Sequence, residues 1–401
     1  MATKWKQFKL LDIATVSDHR VSHFTGEKDY VATGDIELNK ITGNQRVNYE
    51  NRPSRADLIM DENDVLFAKM KDTVKVLVGS KDTENKIFST GFYVLTPNKD
   101  VAKEFLYFYF LSVDFNRQKN LLCTGATMSG LNNVGLRKIT LQLPVKNDGT
   151  PDLAEQKRIV ATLEEAESLK KKRAEADQKM DDLIPALFMQ MFGNSARNEK
   201  GWNTAELGSL CETIYRYPTF YGFEYSDSGI PVARIGNIID PGVLDPDLSH
   251  YMFISPEINK RFPRTILELL DIVMAVRGDG STGKRIGLVT SENLVGANMS
   301  PNLLRFKTNA NELNPIYLFH LMTSGPGQAL IDKRITRTAK KTITSKDIVK
   351  IDIPTPPIAL QNQFADKVKE IAMQKEKQKQ SAIQLDGLFS SLLSRSFASK
   401  T

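Results

Sequence analysis

Pro151-Asp-Leu-Ala-Glu-Gln-Lys-Arg-Ile-Val160 opens a stretch that returns, loosely, as Pro357-Ile-Ala-Leu-Gln-Asn-Gln-Phe-Ala365. At an offset of 205, Ala154 meets Ala359, Gln156 meets Gln361 and Asp181 meets Asp386. The same offset joins Leu183 to Leu388, Leu187 to Leu392 and Phe192 to Phe397. A unit repeated inside one chain tends to fold as two similar bodies. A pseudo-two-fold relation between them is expected, and it suits a target that itself has two halves.

The repeated stretch reads as helix. After Glu155 no glycine occurs until Gly193, and Pro185 is the one proline. Apolar residues fall at Ile159, Leu163 and Ala166, then at Ala176, Met180, Leu183 and Leu187. Their steps of three and four carry the helical and coiled-coil period. The second copy places Phe364, Val368, Ile371, Leu385, Leu388 and Leu392 at matching positions. Lys170-Lys-Lys-Arg-Ala-Glu-Ala-Asp177 reads as a solvated face. Glu155 to Phe192 would span ~57 Å as one helix, with Pro185 able to kink it. Neither apolar stripe can stay in water, and each is the natural cover for the other. A whole globular segment separates the two copies, so the helices are expected to pair antiparallel with a globular domain at each end.

Outside the helices the pattern is short strands punctuated by Gly, Asn and Asp. Trp5 is echoed by Trp202, and Asp64-Val-Leu-Phe-Ala68 by Asp271-Ile-Val-Met-Ala275. Glu104-Phe-Leu-Tyr-Phe-Tyr-Phe-Leu111 is echoed by Pro315-Ile-Tyr-Leu-Phe-His-Leu-Met322. The expected fold class is α+β, with globular domains over residues 1–150 and 198–356 and long helices over 151–197 and 357–401. A chain of 401 residues exceeds what one core usually serves. A net charge of +6 leans towards an anionic partner. Cys123 and Cys211 stand in different halves and make neither a disulfide framework nor a zinc site, which suits a reducing cytoplasm. No apolar run suggests a signal peptide or membrane span, so no membrane partner is expected.

Chemical motifs are sparse. Arg277-Gly-Asp-Gly-Ser-Thr-Gly-Lys-Arg285 has the spacing of a nucleotide-binding glycine loop. Such a loop needs a helix after it, whereas Arg285-Ile-Gly-Leu-Val-Thr290 reads as a strand. A hairpin tip carrying Arg277, Lys284 and Arg285 is the better reading. Cations there can meet phosphates or guanine edges. Lys69, Lys71 and Lys75 mark the matching stretch of the first half. A second basic segment holds Arg334, Arg337, Lys340 and Lys341, and its counterpart is the Thr127- and Ser129-bearing segment Gly125-Ala-Thr-Met-Ser-Gly130. These twelve side chains are the candidate DNA contacts. The four histidines are too scattered for a metal cluster. Asn314-Pro-Ile-Tyr317 lacks the second proline of an Asn-Pro-Pro-Tyr catalytic motif and reads as a helix start. No catalytic set and no metal site is evident.

The doubled order of globular part and long helix resembles the specificity (S) subunit of type I restriction–modification enzymes. Pro151-Asp-Leu-Ala-Glu-Gln-Lys-Arg-Ile-Val160 is similar to that family's Pro-Leu-x-x-Gln-x-x-Ile helix opening. Phe88-Ser-Thr-Gly-Phe-Tyr-Val-Leu95, Gly125-Ala-Thr-Met-Ser-Gly-Leu131, Gly280-Ser-Thr-Gly-Lys284 and Ile348-Val-Lys-Ile-Asp-Ile-Pro-Thr-Pro-Pro357 are further marks. The second helix departs from the first, with Leu360 for Glu155 and Asn362 for Lys157. The resemblance implies two target-recognition domains, each reading one half of an asymmetric, bipartite double-stranded DNA target. The helices would set the gap and dock two modification (M) subunits, with restriction (R) subunits joining them. It implies no cofactor in this chain, S-adenosylmethionine on M, and ATP with magnesium on R. The chain itself would be non-catalytic. A coiled-coil scaffold with no DNA role is the competing reading, and footprinting separates the two. A nucleotide-binding enzyme using Gly278 to Lys284 is a third, which calorimetry with ATP and NAD tests.

Overall fold

The computed structural model describes residues 3–125, 129–216, 224–240, 242–276, 285–334 and 344–397. Two compact units emerge: Met1–Glu175 with Lys379–Thr401, and Ala176–Gln378. Each is α+β, and each contains a globular domain with a part of both long helices. No helix among the described residues is long and apolar enough to cross a membrane.

The first unit holds an antiparallel sheet in the order Ala14–Val16, Phe92–Pro97, Val65–Ala68, Val76–Val78. The second unit repeats this order with Cys211–Tyr215, Leu303–Thr308, Ile272–Ala275 and Ile286–Leu288, then adds two short strands. All four residues are buried in Val65-Leu-Phe-Ala68 and again in Ile272-Val-Met-Ala275. Such continuous apolar runs suit strands covered on both faces. A second sheet in each unit contains one parallel pair: Lys28–Val31 with Lys86–Ser89, and Ile230–Ala233 with Asn298–Met299. Strand pairs Lys4–Lys9 with Thr140–Val145, and Thr204–Glu206 with Asp352–Pro354, close each domain just before its long helix.

The first long helix, Leu153–Asp181, starts where the Asp152 carboxylate accepts hydrogen bonds from the Ala154 and Glu155 N–H groups at 3.1 and 3.2 Å. A carboxylate there satisfies free donors and faces the positive end of the helix dipole. The expected single helix to Phe192 is interrupted: it ends at Asp181, and a separate helix runs Leu183–Phe192. Pro185 is the cause. It has no N–H for the Asp181 carbonyl and its ring crowds that group. The second long helix, Ile358–Phe397, has no internal proline and runs unbroken for 40 residues, ~60 Å.

Inside the first unit, Lys170 meets Asp386 at 2.8 Å, while Ile159 and Leu163 share a core with Leu393 and Phe397. Inside the second, Asp181 meets Lys375 at 2.7 Å, and the Phe188 and Phe192 rings meet Phe364 at 5.5 and 5.3 Å. Numbers rise on one helix as they fall on the other, so the segments run antiparallel. Ile159, Leu163, Phe364 and Ile371 are buried, and Met180, Leu187, Val368, Leu385 and Leu392 are half-buried. Leu183 and Leu388 depart from the expected packing, at 44% and 55% exposed. Ile184 and Phe389 pack in their stead. Large side chains at steps of four, Ile184/Phe188/Phe192 and Phe389/Leu393/Phe397, set the buried face and turn those leucines outward.

Gln156 and Gln361 have 0% exposure on the two helices and make the same joint. The Gln156 amide donates to the Asp100 carbonyl at 3.1 Å, and its oxygen accepts from the Ala102 N–H at 3.0 Å. Gln361 donates to the Glu312 carbonyl at 3.2 Å and accepts from the Asn314 N–H at 2.9 Å. Both thereby satisfy free groups at the start of the domain helices Lys103–Leu111 and Pro315–Thr323. Asn314 caps the second of these through its side chain, as a helix start requires.

His320, between the Phe319 and Phe364 rings at 5.0 and 5.4 Å, has its imidazole pushed down to about 4 by burial. An unfolded histidine takes up its proton near 6.5, so between pH 6.5 and 4 the unfolded chain binds a proton that the folded one refuses. Stability of the second unit will therefore fall as pH drops through that window, by about 3 kcal/mol from this residue. His320→Leu will flatten that part of the loss, measured as urea midpoints between pH 7 and 4.

Candidate nucleic-acid interface

The stretch Lys69–Lys75 joins strand Val65–Ala68 to the edge strand Val76–Val78 of the first unit. Backbone bonds tie it to the Ser129 segment: the Lys71 N–H donates to the Ser129 carbonyl at 3.0 Å, and the Leu131 N–H to the Lys69 carbonyl at 2.8 Å. Two expected contact segments, about 55 residues apart in the chain, therefore lie side by side. Ser129 itself is half-buried.

The three lysines have different tasks. Lys69 turns inward, donating to the Thr90 carbonyl at 2.8 Å and lying 4.3 Å over the Tyr93 ring. Desolvation first, and the nearby Arg20 second, hold its ammonium below the usual lysine range. Lys75 donates to the Thr33 carbonyl at 2.5 Å. Both shape the loop, since their ammonium groups are spent on carbonyl oxygens. Lys71 alone of the three is exposed. Arg20 and Arg55 are exposed beside Lys69: Arg20 bridges to Leu58 and pairs with Asp57 at 3.5 Å, and Arg55 sits in a turn, where its carbonyl accepts from the Thr90 N–H at 2.8 Å. Sequence reading passed over both. Neither belongs to a run of basic residues that would signal it.

The second unit builds the equivalent edge with different residues. The Lys69 and Val276 N–H groups donate to the Gly91 and Asn302 carbonyls, each at 2.9 Å, so Thr90 and Pro301 occupy matching places. The Pro301 carbonyl accepts from Arg216 Nε at 2.9 Å, as Thr90 does from Lys69. Arg264 lies 4.2 Å over the Tyr215 ring. Strands Ile272–Ala275 and Ile286–Leu288 pair antiparallel on either side of the glycine-rich segment. A strand follows Lys284 where a phosphate-binding loop would need a helix, and Arg285 is exposed at its start. Thr127, Arg277, Lys284, Arg337, Lys340 and Lys341 lie outside the described residues, as does the Arg334 side chain.

The sequence and the fold each resemble those of known proteins. Residues 2–176 match the family model described as Type I restriction modification DNA specificity domain. The chain is 26% identical over 204 residues to the Type I restriction enzyme EcoBI specificity subunit of Escherichia coli, covering 49% of this chain and 41% of that protein. It thus spans about two fifths of that relative's length. It is 21% identical over 330 residues to the MjaVIII specificity subunit of Methanocaldococcus jannaschii, covering 79% of this chain and 73% of that protein. Its fold matches a chain solved in work on complex assembly and conformational transition of the type I R-M system, with a TM-score of 0.66, 20% identity and 98% of each chain covered. It also matches the HsdS subunit from Thermoanaerobacter tengcongensis, with a TM-score of 0.54, 20% identity and 98% and 96% covered. A matched domain over residues 2–176, relatives whose match reaches into the second unit and a common fold point one way: the chain is similar to type I restriction–modification specificity subunits.

Proposed function

We propose that this chain reads an asymmetric, two-part double-stranded DNA sequence, one half-site per globular domain. It docks methyltransferase and restriction subunits along its long helices and does no chemistry itself. The observation that carries the reading is the repeat: one strand order occurs twice in the chain, with unlike residues at the matching loop edges. Base edges in the grooves carry sequence, while phosphate contacts set register, so unlike loops on like frames imply unlike half-sites. Two readers on one chain also bind jointly, since the second contact becomes intramolecular. Domain limits near residues 150, 197 and 356 fit this division of labour.

Lys71 and Arg285 are the described cations best placed to meet phosphate, because both are exposed at loop positions. Alanine at either will weaken binding of the complex to every sequence alike. It will also lower the slope of log affinity against log salt by about 1. Arg277 and Lys341 are proposed to act in the same way. Footprinting of the chain with its methyltransferase partners tests the whole reading. Two protected blocks separated by an unprotected gap are expected, and one continuous block or none overturns it.

A further inference from the structure

Resting on that reading, we infer that Lys69–Lys75 is the base-reading element of the first domain, and that buried Lys119 and its neighbour Asn120 are positioning residues for it. The loop presents Met70 and Val74, 43% and 36% exposed, on either side of exposed Lys71. Two apolar side chains left in water beside a cation cost the free chain hydrophobic energy. A major groove repays them: thymine methyls take apolar contacts, while a flanking phosphate takes the ammonium.

Such a loop discriminates only if it is rigid, and an uncommon set of side chains holds this one. Lys119 is 1% exposed, on the helix Val113–Leu122. Its ammonium donates to the Thr73 carbonyl. One residue on, Asn120 Oδ1 accepts from the Asp72 N–H at 3.0 Å, and its amide donates to the Asp72 carboxylate at 2.8 Å. Asp72 has a φ of 55°, in the left-handed region that a side chain disfavours. The Cys123 thiol, pointing at the Lys69 carbonyl at 3.8 Å, completes the floor. A buried ammonium is a costly way to fill a core, and methionine would fill that volume more cheaply. Its geometric return is a fixed apex: Thr73 held from below, Asp72 held at two atoms, and Lys71 fastened through its N–H to Ser129. The clamp faces no DNA itself. Its effect passes through Met70, Lys71 and Val74.

The test uses the full chain with its methyltransferase partners and a pool of duplexes of random sequence. Wild type is expected to select two sequence blocks. Val74→Ala and Met70→Ala will relax preference roughly tenfold at positions in one block and leave the other intact. Asn120→Ala and Lys119→Met will relax the same positions and speed amide exchange across residues 69–75. Asn120→Ala carries the test should Lys119→Met fail to fold. Faster exchange with both blocks unchanged overturns the inference while leaving two-part recognition standing. Equal loss at both blocks, or a uniform loss across all sequences, also overturns it. Selection of no sequence by wild type removes the parent reading as well.

Discussion

Phe397→Ala will destabilise the first unit by about 3–5 kcal/mol, although Phe397 comes from the far end of the second long helix. Its ring is 3% exposed and meets Phe105 at 5.0 Å and Tyr109 at 5.8 Å, inside the core that also holds Leu106, Ile159 and Leu163. Truncation removes the transfer energy of an aromatic ring and leaves a cavity whose walls, the packed domain helix and sheet, can close only in part. The check is native-state hydrogen exchange of the Lys103–Leu111 amides, which should quicken roughly a hundredfold or more. The matching residue, Phe192, plugs the second unit against Tyr317 at 4.7 Å. Its truncation should speed exchange in Pro315–Thr323 instead. A change below 1 kcal/mol in either case would contradict the role of these rings as core fillers.

Arg305→Met is the second large effect, with an expected cost of about 3–5 kcal/mol. Arg305 and Asp271 are 3% and 2% exposed and meet at 2.7 Å. The guanidinium also reaches Glu268 and the Arg264 carbonyl, each at 3.1 Å. Burial pushes the Asp271 carboxyl up, against the downward pull of the Glu268 N–H and of Arg305. Remove the arginine and a carboxylate is left in the core with one N–H for company. The double variant Arg305→Met with Asp271→Asn should recover at least half of the loss, because no uncompensated charge then remains. Urea unfolding of the four proteins of this cycle gives the coupling directly. In the first unit the corresponding carboxylate, Asp64, is met by the Thr96 hydroxyl at 2.6 Å, so the ion pair belongs to one copy only.

The repeat was legible because it rests on positions that physics constrains twice over. Gln156 and Gln361 each answer free backbone groups, and Phe192 and Phe397 each fill a core, so the offset of 205 survives at those pairs while surface positions drift. The buried face of the helices was only half legible. Leucines at steps of three and four look like a coiled-coil stripe, but Pro185 breaks the first helix and the larger phenylalanines at steps of four choose the inward side. Charge was a poor guide to the candidate site. Lys69, Lys71 and Lys75 look alike in sequence, yet two are spent on carbonyl oxygens and one faces solvent. Lys119 was invisible, since composition alone places lysine outside. Arg20 and Arg55 are placed by long-range backbone pairing, Arg20 with Leu58 and Arg55 with Thr90, that no local motif announces.

The docking of Phe397 against Tyr109 also sets a timetable for synthesis. The two rings are 288 residues apart in the chain (397 − 109). A ribosome adding about 5–20 residues per second needs roughly 15–60 s to cover that distance. Throughout that interval the nascent amino-terminal half carries an unplugged aromatic hollow. Chaperone demand, and vulnerability to premature termination, should therefore fall on the half that is made first.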